Sequence, residues 1–337
     1  MANKKIGKQT VKLSTPPTIS SVYSIVGPKE GEGPLAKYFD MILEDEAWGE
    51  KTWEKTESKI VKECVAGCLG KEKVSNEDID YMFSGDLLNQ CVSSCFGIRE
   101  REIPYFGLFG ACSTFVEGMS LGAMLIDGGM ADNVLCSTSS HFCSAEKQFR
   151  FPLELGNQRP PTAQWTVTGS GTALLKSNGQ GPFITHVTTG KIVDMGVKDS
   201  MNMGACMAPA ACDTLYQHMM DFDRKPEDYD RIVTGDLGYV GRDIIIELMN
   251  QKGFDISQNY SDCGIKMFDK DTQDTHAGGS GCGCSATVLC AYYLRELEKG
   301  NIKRMLFMPT GALLSKVSFN EGRTVPGIAH AVVLEHC

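Results

Sequence analysis

Cys112 is the side chain best placed for covalent chemistry. It lies in Phe-Gly-Ala-Cys-Ser-Thr, after an apolar stretch and at a predicted helix start. Free N–H groups at a helix N-terminus favour a thiolate, and a strand-to-helix turn exposes a side chain at the edge of a sheet. The competing reading is a thiol packed in a tight turn. Two histidines are candidate activators, since a His–thiol pair is how condensing and hydrolytic thiols are made nucleophilic. His141 opens a long excursion and His276 opens a glycine-rich loop. Arg150, with Lys147 and Gln148, sits inside the excursion and is the nearest candidate for a bidentate bond to a carboxylate ligand. Asp86 and Asp236 each follow an apolar strand, where an α/β fold opens its ligand crevice. Either aspartate can equally cap the turn or helix after it. The loop His276–Cys284, with Gly279 and Ser280 at its centre, brings backbone N–H groups together as an anion cradle. Its Gly281-x-Gly283-x-x-Ala286 string has no convincing strand before it, so a dinucleotide site is rejected.

Composition narrows the function. The chain has 337 residues, 42% hydrophobic and 22% charged, and a net charge of −9. These values describe an ordinary globular protein of about two domain-sized units. An acidic balance argues against nucleic acid as a partner. Fourteen cysteines occur, yet none forms a CxxC pair, so zinc modules are not expected and most thiols read as small buried apolar groups. No apolar run reaches the ~18–20 residues that span a bilayer. The polar, basic start lacks a signal-peptide centre, so synthesis in the cytoplasm is expected.

The elements that must hold these residues come from an internal repeat. Residues 76–87 (NEDIDYMFSGDL) and 226–237 (PEDYDRIVTGDL) match at six of twelve positions, at an offset of 150. Cys112-Ser113 and Cys284-Ser285 form a second echo, each followed sixteen residues later by a glycine and an apolar strand. A fainter third echo pairs 168–175 with 327–334. The echoes keep their order, so the chain reads as two copies of one α/β unit, 1–178 and 179–337. Helices are predicted near 52–69, 112–127, 207–221, 242–252 and 284–299, and strands near 79–84, 132–138, 230–234 and 304–309. Alternation of strand and helix predicts a mainly parallel sheet covered on both faces. The small residues after Cys112 are expected to let that helix approach its copy at Cys284. Two stretches break the symmetry: the excursion 141–166, and 22 additional residues within 238–283.

Duplicated α/β halves with a cysteine at a helix start resemble the thiolase and ketoacyl-synthase superfamily. A closer resemblance, carried by strings such as VGPKEGEGPL, LFGACST, AEKQFRFP, YDRIVTGDLG and AGGSGCGCSA and running from Gly7 to His330, is to the stage V sporulation AD family of spore-forming bacteria. The resemblance implies a five-layer αβαβα sandwich with a pseudo-twofold, and a homodimer by analogy. It implies a peripheral subunit of a membrane complex on the forespore or spore inner membrane, touching other subunits of that complex. The implied ligand is dipicolinic acid, taken up into the forespore and released at germination, with no cofactor and with calcium as a candidate companion. Metal ligands are left unassigned. Where initiating ketoacyl synthases carry a PHQAN loop, this chain has Thr234-Gly235-Asp236-Leu237, and where they carry GNTSA it has Gly278-Gly279-Ser280-Gly281. The expected class is therefore a non-catalytic binding subunit whose ligand contacts come from Cys112, Asp86, Asp236, His141, Arg150, His276, Gly279 and Ser280. The alternatives are an acyl-transfer enzyme using Cys112 and a scaffold with a vestigial pocket.

Overall fold

The computed structural model describes residues 4–149 and 159–336. Ten strands and the helices between them build the frame. The first five strands are β1 (Thr18–Val26), β2 (Tyr81–Gly85), β3 (Tyr105–Gly107), β4 (Asn133–Ser140) and β5 (Gly169–Lys176). The second five are β6 (Phe183–Thr188), β7 (Arg231–Thr234), β8 (Tyr260–Asp262), β9 (Arg304–Met308) and β10 (Ala331–Glu335). The spatial order is β3-β2-β4-β5-β1 in the first set and β8-β7-β9-β10-β6 in the second. The senses recur too: β2 is parallel to β3 and β4, while β5 runs antiparallel to β4 and β1. In the second set β7 is parallel to β8 and β9, while β10 runs antiparallel to β9 and β6. The two sheets touch edge to edge through one residue pair, Thr18 and Phe183.

The helices recur in the same places. In the first set α1 (Trp53–Glu72), α2 (Val92–Ile98) and α3 (Thr114–Asp127) follow β1, β2 and β3, and α4 (Phe142–Phe149) follows β4. In the second set α5 (Met203–Phe222) and α6 (Gly238–Gln251) follow β6 and β7. Helix α7 (Cys282–Val288) follows β8 and runs through a π turn at Leu289–Tyr293 to Glu298. One core fills the space between the sheets, with Phe115 and Met119 of α3, Val288 and Leu289 of α7, and Phe307 and Val332 of the second sheet. A second core lies under α5 and α6, and a third joins α1 to the outer face of the first sheet. The layers therefore read helix, sheet, helix, sheet, helix. Central strands buried on both faces explain the apolar runs MLFM and VLCS, which lack alternation.

Several local signals carry the registers. Thr52 caps α1 by accepting from the Lys55 N–H at 3.3 Å. Gly85 ends β2 because a Cβ there would lie 2.2 Å from the Leu108 carbonyl oxygen. Gly235 has the same place after β7, where a Cβ would come within 2.9 Å of the Pro309 backbone. The glycines of α3 do not serve contact with α7, as expected above. Gly118 and Gly122 face the sheet, where a Cβ would meet Phe83 at 3.1 Å and Val134 at 2.9 Å. The thirteen cysteines among the described residues are all free. Cys64 and Cys68 are buried on α1, and their thiols donate to the Tyr23 and Ser21 carbonyl oxygens of β1.

Candidate functional site

Cys112 sits in a single 3-10 turn, Ala111–Ser113, just ahead of α3. Ala111 adopts φ 49°, a left-handed conformation unusual for a residue with a Cβ, and this turns the chain sharply into the helix. The thiol is buried and lies 3.8 Å from the Ser280 hydroxyl. Burial raises its pKa well above the ordinary thiol value, and the neighbouring Asp236 raises it further. The thiolate expected from the helix start is thus not favoured. Desolvation and a facing carboxylate outweigh the partial charge of the helix end.

Asp236 is the hub of the site. One carboxylate oxygen accepts from the Ser280 hydroxyl at 2.8 Å and from the Gly281 N–H at 3.1 Å. The other accepts from the Thr310 hydroxyl at 3.0 Å. The Cys112 thiol lies beside this network, next to the Ser280 hydroxyl. Burial nevertheless raises the Asp236 pKa above the usual carboxylate value. Its backbone carbonyl accepts from the Gln164 side-chain amide at 2.6 Å. Gln164 was not among the residues singled out by sequence. A lone Gln inside Pro-Thr-Ala-Gln-Trp carries no motif, and only the pairing of Trp165-Thr166 with Gly279-Ser280 brings it to the site.

Asp86 plays a different part. Its oxygens accept from the Leu88 N–H at 2.8 Å and from the Ser94 N–H and hydroxyl, both at 2.7 Å. It ties the loop after β2 to the first turn of α2, which is the capping role. The buried Glu57 lies beside it and accepts from Ser139 and Ser144. Burial and then the Asp86 charge push the Glu57 pKa up to about 8.

Neither histidine pairs with Cys112. His141 is buried, with Nε2 2.9 Å from the Glu46 carbonyl oxygen and Nδ1 accepting from the Cys143 N–H. Burial lowers its pKa. His276 bonds the Pro160 carbonyl at 2.8 Å and faces Asp274 at 2.8 Å. Each ring is engaged by its own loop and by a remote carbonyl, Glu46 for His141 and Pro160 for His276, so neither serves as an imidazole base for the thiol among the described residues. Arg150 lies outside the described residues. The glycine-rich loop turns donors inward: Gly281 gives its N–H to Asp236 and Gly283 gives its own to the Ser140 hydroxyl. Gly279 packs against Phe268, Val167 and Cys284.

A cavity opens beside these groups. Cys112, Ser280 and Gln164 form its polar floor, and Leu87, Phe109, Phe149, Met201, Met203 and Leu314 supply most of its apolar wall. Its volume is about 60 Å³, room for about four waters. Helix α4 contributes Ala145 and Phe149, and the returning chain contributes Ala163 and Thr166, so the excursion after β4 walls one side. The described residues contain no cluster of three His, Cys, Asp or Glu side chains suited to a metal ion. No helix among them is long and apolar enough to cross a membrane.

The solved structures most like this one include 3-oxoacyl-[acyl-carrier-protein] synthase III from Aquifex aeolicus VF5. It is 12% identical with a TM-score of 0.56, over 95% of this chain and 99% of that one. A Xanthomonas campestris OleA variant is 13% identical with a TM-score of 0.56, over 98% and 99%. These likenesses show the thiolase-like fold, matching the layers and duplicated topology above. In sequence, the chain is 41% identical over 332 residues to stage V sporulation protein AD of Bacillus subtilis (strain 168), covering 98% of each. It also matches the family described as Stage V sporulation protein AD (SpoVAD) over residues 7–335. The chain therefore belongs to the stage V sporulation protein AD family.

Proposed function

We propose that this sporulation protein is a non-catalytic subunit that binds dipicolinic acid in the cavity beside Cys112, for uptake into the forespore and release at germination. One observation carries the reading: the cavity of a thiolase-like fold is kept while its cysteine is buried beside Ser280 and Asp236, and the two candidate imidazoles, His141 and His276, bond elsewhere; burial and then the Asp236 charge raise the thiol pKa. A thiol in that state lacks the base that acyl transfer needs. Cavities with apolar walls and a few convergent polar groups hold small molecules. The subunit sits on the spore inner membrane through other subunits of its complex, and calcium accompanies the ligand as cargo. Duplicated units 1–178 and 179–337 form the two sides of the site. A second copy docks at the outer edge of β3, where Phe96, Phe106 and Phe109 are 55%, 50% and 46% exposed.

Calorimetric titration with dipicolinate tests the reading, and saturable binding lost on filling the cavity by Ala145→Trp is expected. Absence of binding at millimolar ligand overturns it. A second reading, an acyl-transfer enzyme, draws on Cys112 at a helix start in a fold shared with proteins named as synthases. Incubation with acyl-CoA followed by intact mass separates the two: an adduct on Cys112 supports the enzyme.

A further inference from the structure

The orientation of the Gln164 side chain is dictated by its surroundings. Its nitrogen faces two carbonyl oxygens, those of Asp236 at 2.6 Å and Gly279 at 3.2 Å. Flipping the amide would set oxygen against both, so the donor end is committed to the loop. The other end, Oε1, is buried and has no hydrogen-bond partner among the described residues, although Gln164 lines the cavity. A buried acceptor left unmade costs about 1–3 kcal/mol. Such an atom marks a place for a ligand donor.

The rest of the floor has the same polarity. Ser280 gives its hydroxyl proton to Asp236, and the Cys112 thiol lies 3.8 Å from the Ser280 oxygen. What these groups present to the cavity is lone pairs. Glu146 is the charged side chain among the described lining residues. A bare dianion, whose ring nitrogen and carboxylates are all acceptors, would face acceptors at Gln164 and Ser280, with the Thr166 and Ser200 hydroxyls as the other neutral polar groups of the lining.

We infer that Gln164 is a specificity-determining residue and that the cavity takes its ligand with a donor hydrogen aimed at Gln164 Oε1. This rests on the dipicolinate reading above and refines it. The donor has two available sources: the O–H of a protonated carboxyl group, or a water bound to a cation that the two carboxylates chelate. Either source also removes negative charge from the face turned to Asp236.

The test is calorimetry on the full chain at neutral pH, with dipicolinate and with its neutral analogue pyridine-2,6-dicarboxamide, whose amides carry N–H donors. In the presence of a chelator the diamide is expected to bind at least tenfold more tightly than dipicolinate. Adding calcium should close that gap if metal-bound water is the donor; a gap that persists assigns the role to a protonated carboxyl. In Gln164→Met the preference for the diamide should collapse to within about twofold. Equal binding of the two ligands under chelation overturns the inference and leaves the dipicolinate reading standing. An undiminished preference in a folded Gln164→Met variant also overturns it. Failure of both ligands and of the calcium complex to bind overturns the dipicolinate reading and this one with it. The wild-type comparison decides the matter even if the variant does not fold.

Discussion

The two Gly-Asp corners, Gly85-Asp86 and Gly235-Asp236, begin from the same local sequence and end in different work. Each follows an equivalent strand, and each glycine lets another stretch of chain cross close to the strand end. Asp86 bonds the loop after it, through Leu88 and Ser94. Asp236 bonds across the molecule, to Ser280, Thr310 and Gly281. The difference traces to Asp262. In the second half its carboxylate accepts from Leu237 N–H at 2.9 Å, Gly238 N–H at 3.2 Å and the Thr234 hydroxyl at 2.7 Å. Asp262 thereby does for the second corner what Asp86 does for the first, and Asp236 is released to hold Ser280 at the cavity floor. A duplicated fold acquires a site when a residue from the later, longer connection takes over a structural duty.

Four tests would break or sharpen this comparison. The largest effect is expected from Asp236→Ala, which leaves the Ser280, Thr310 and Gly281 donors without their buried acceptor. A loss of about 3–5 kcal/mol is expected from breaking such a network, read as a shift in urea midpoint. Asp86→Ala should also destabilise, by about 1–3 kcal/mol for the stranded N–H groups, but leave ligand affinity within twofold. Equal loss of affinity in folded Asp86→Asn and Asp236→Asn variants would erase the proposed division of labour.

Glycine at the corners comes next. Gly85→Ala should cost more than Gly235→Ala, because its Cβ would meet a carbonyl oxygen at 2.2 Å while the other would meet Pro309 at 2.9 Å. Overpacking of this kind typically costs about 1–3 kcal/mol, and thermal melts of the two variants compare them directly. A reversed order would show that the second corner is the more rigid.

Charge at the first corner predicts a pH effect. The folded pKa of Glu57, about 8, stands above its ordinary value of 4.5, so the folded protein holds a proton that the unfolded chain releases. This contribution to stability is complete below about pH 4.5 and is lost as pH rises to about 8. Its slope is at most about 1.4 kcal/mol per pH unit. Glu57→Gln should flatten that part of the pH–stability curve, measured by denaturant titration at several pH values. An unchanged curve would place the proton elsewhere, with Glu30, also raised to about 8, as the next group to test.

The smallest effect concerns the thiol. Neutralising its neighbour by Asp236→Asn should lower the Cys112 pKa and speed alkylation by iodoacetamide at a fixed alkaline pH. Asp86→Asn should not speed it. Equal acceleration in both variants would mean that loosening of the fold, rather than local charge, controls the thiol.

Much of this was legible without coordinates. The repeats placed β2 against β7 and α3 against α7, because identical turns and apolar runs recur at a steady offset. The helices at 53–72, 114–127, 203–222 and 238–251 fall within about five residues of their expected bounds. Strands β1 and β6 went unread although Pro16-Pro17 and Gly27-Pro28 bracket TISSVYSIV and Gly181-Pro182 precedes FITHVT, and β3, β5, β8 and β10 were likewise not among the expected strands. Cys112 and Ser280 were found at the cavity because a thiol at a helix start and a serine in a glycine run are local signals.

What sequence could not supply is the state and partnership of the groups. The thiol pKa depends on how much water burial removes and on which carboxylate arrives opposite, and Asp236 arrives from 124 residues further along the chain. Whether an aspartate caps its own loop or crosses to another depends on Asp262, which no spacing rule links to residue 236. Gln164 becomes a cavity acceptor only because two short strands, 165–166 and 279–280, pair in parallel register. Local signals are written in neighbouring residues and survive in the one-dimensional record. Electrostatic environment and hydrogen-bond choice are properties of distances between remote segments, and those distances exist only once both sheets and the helices between them have packed.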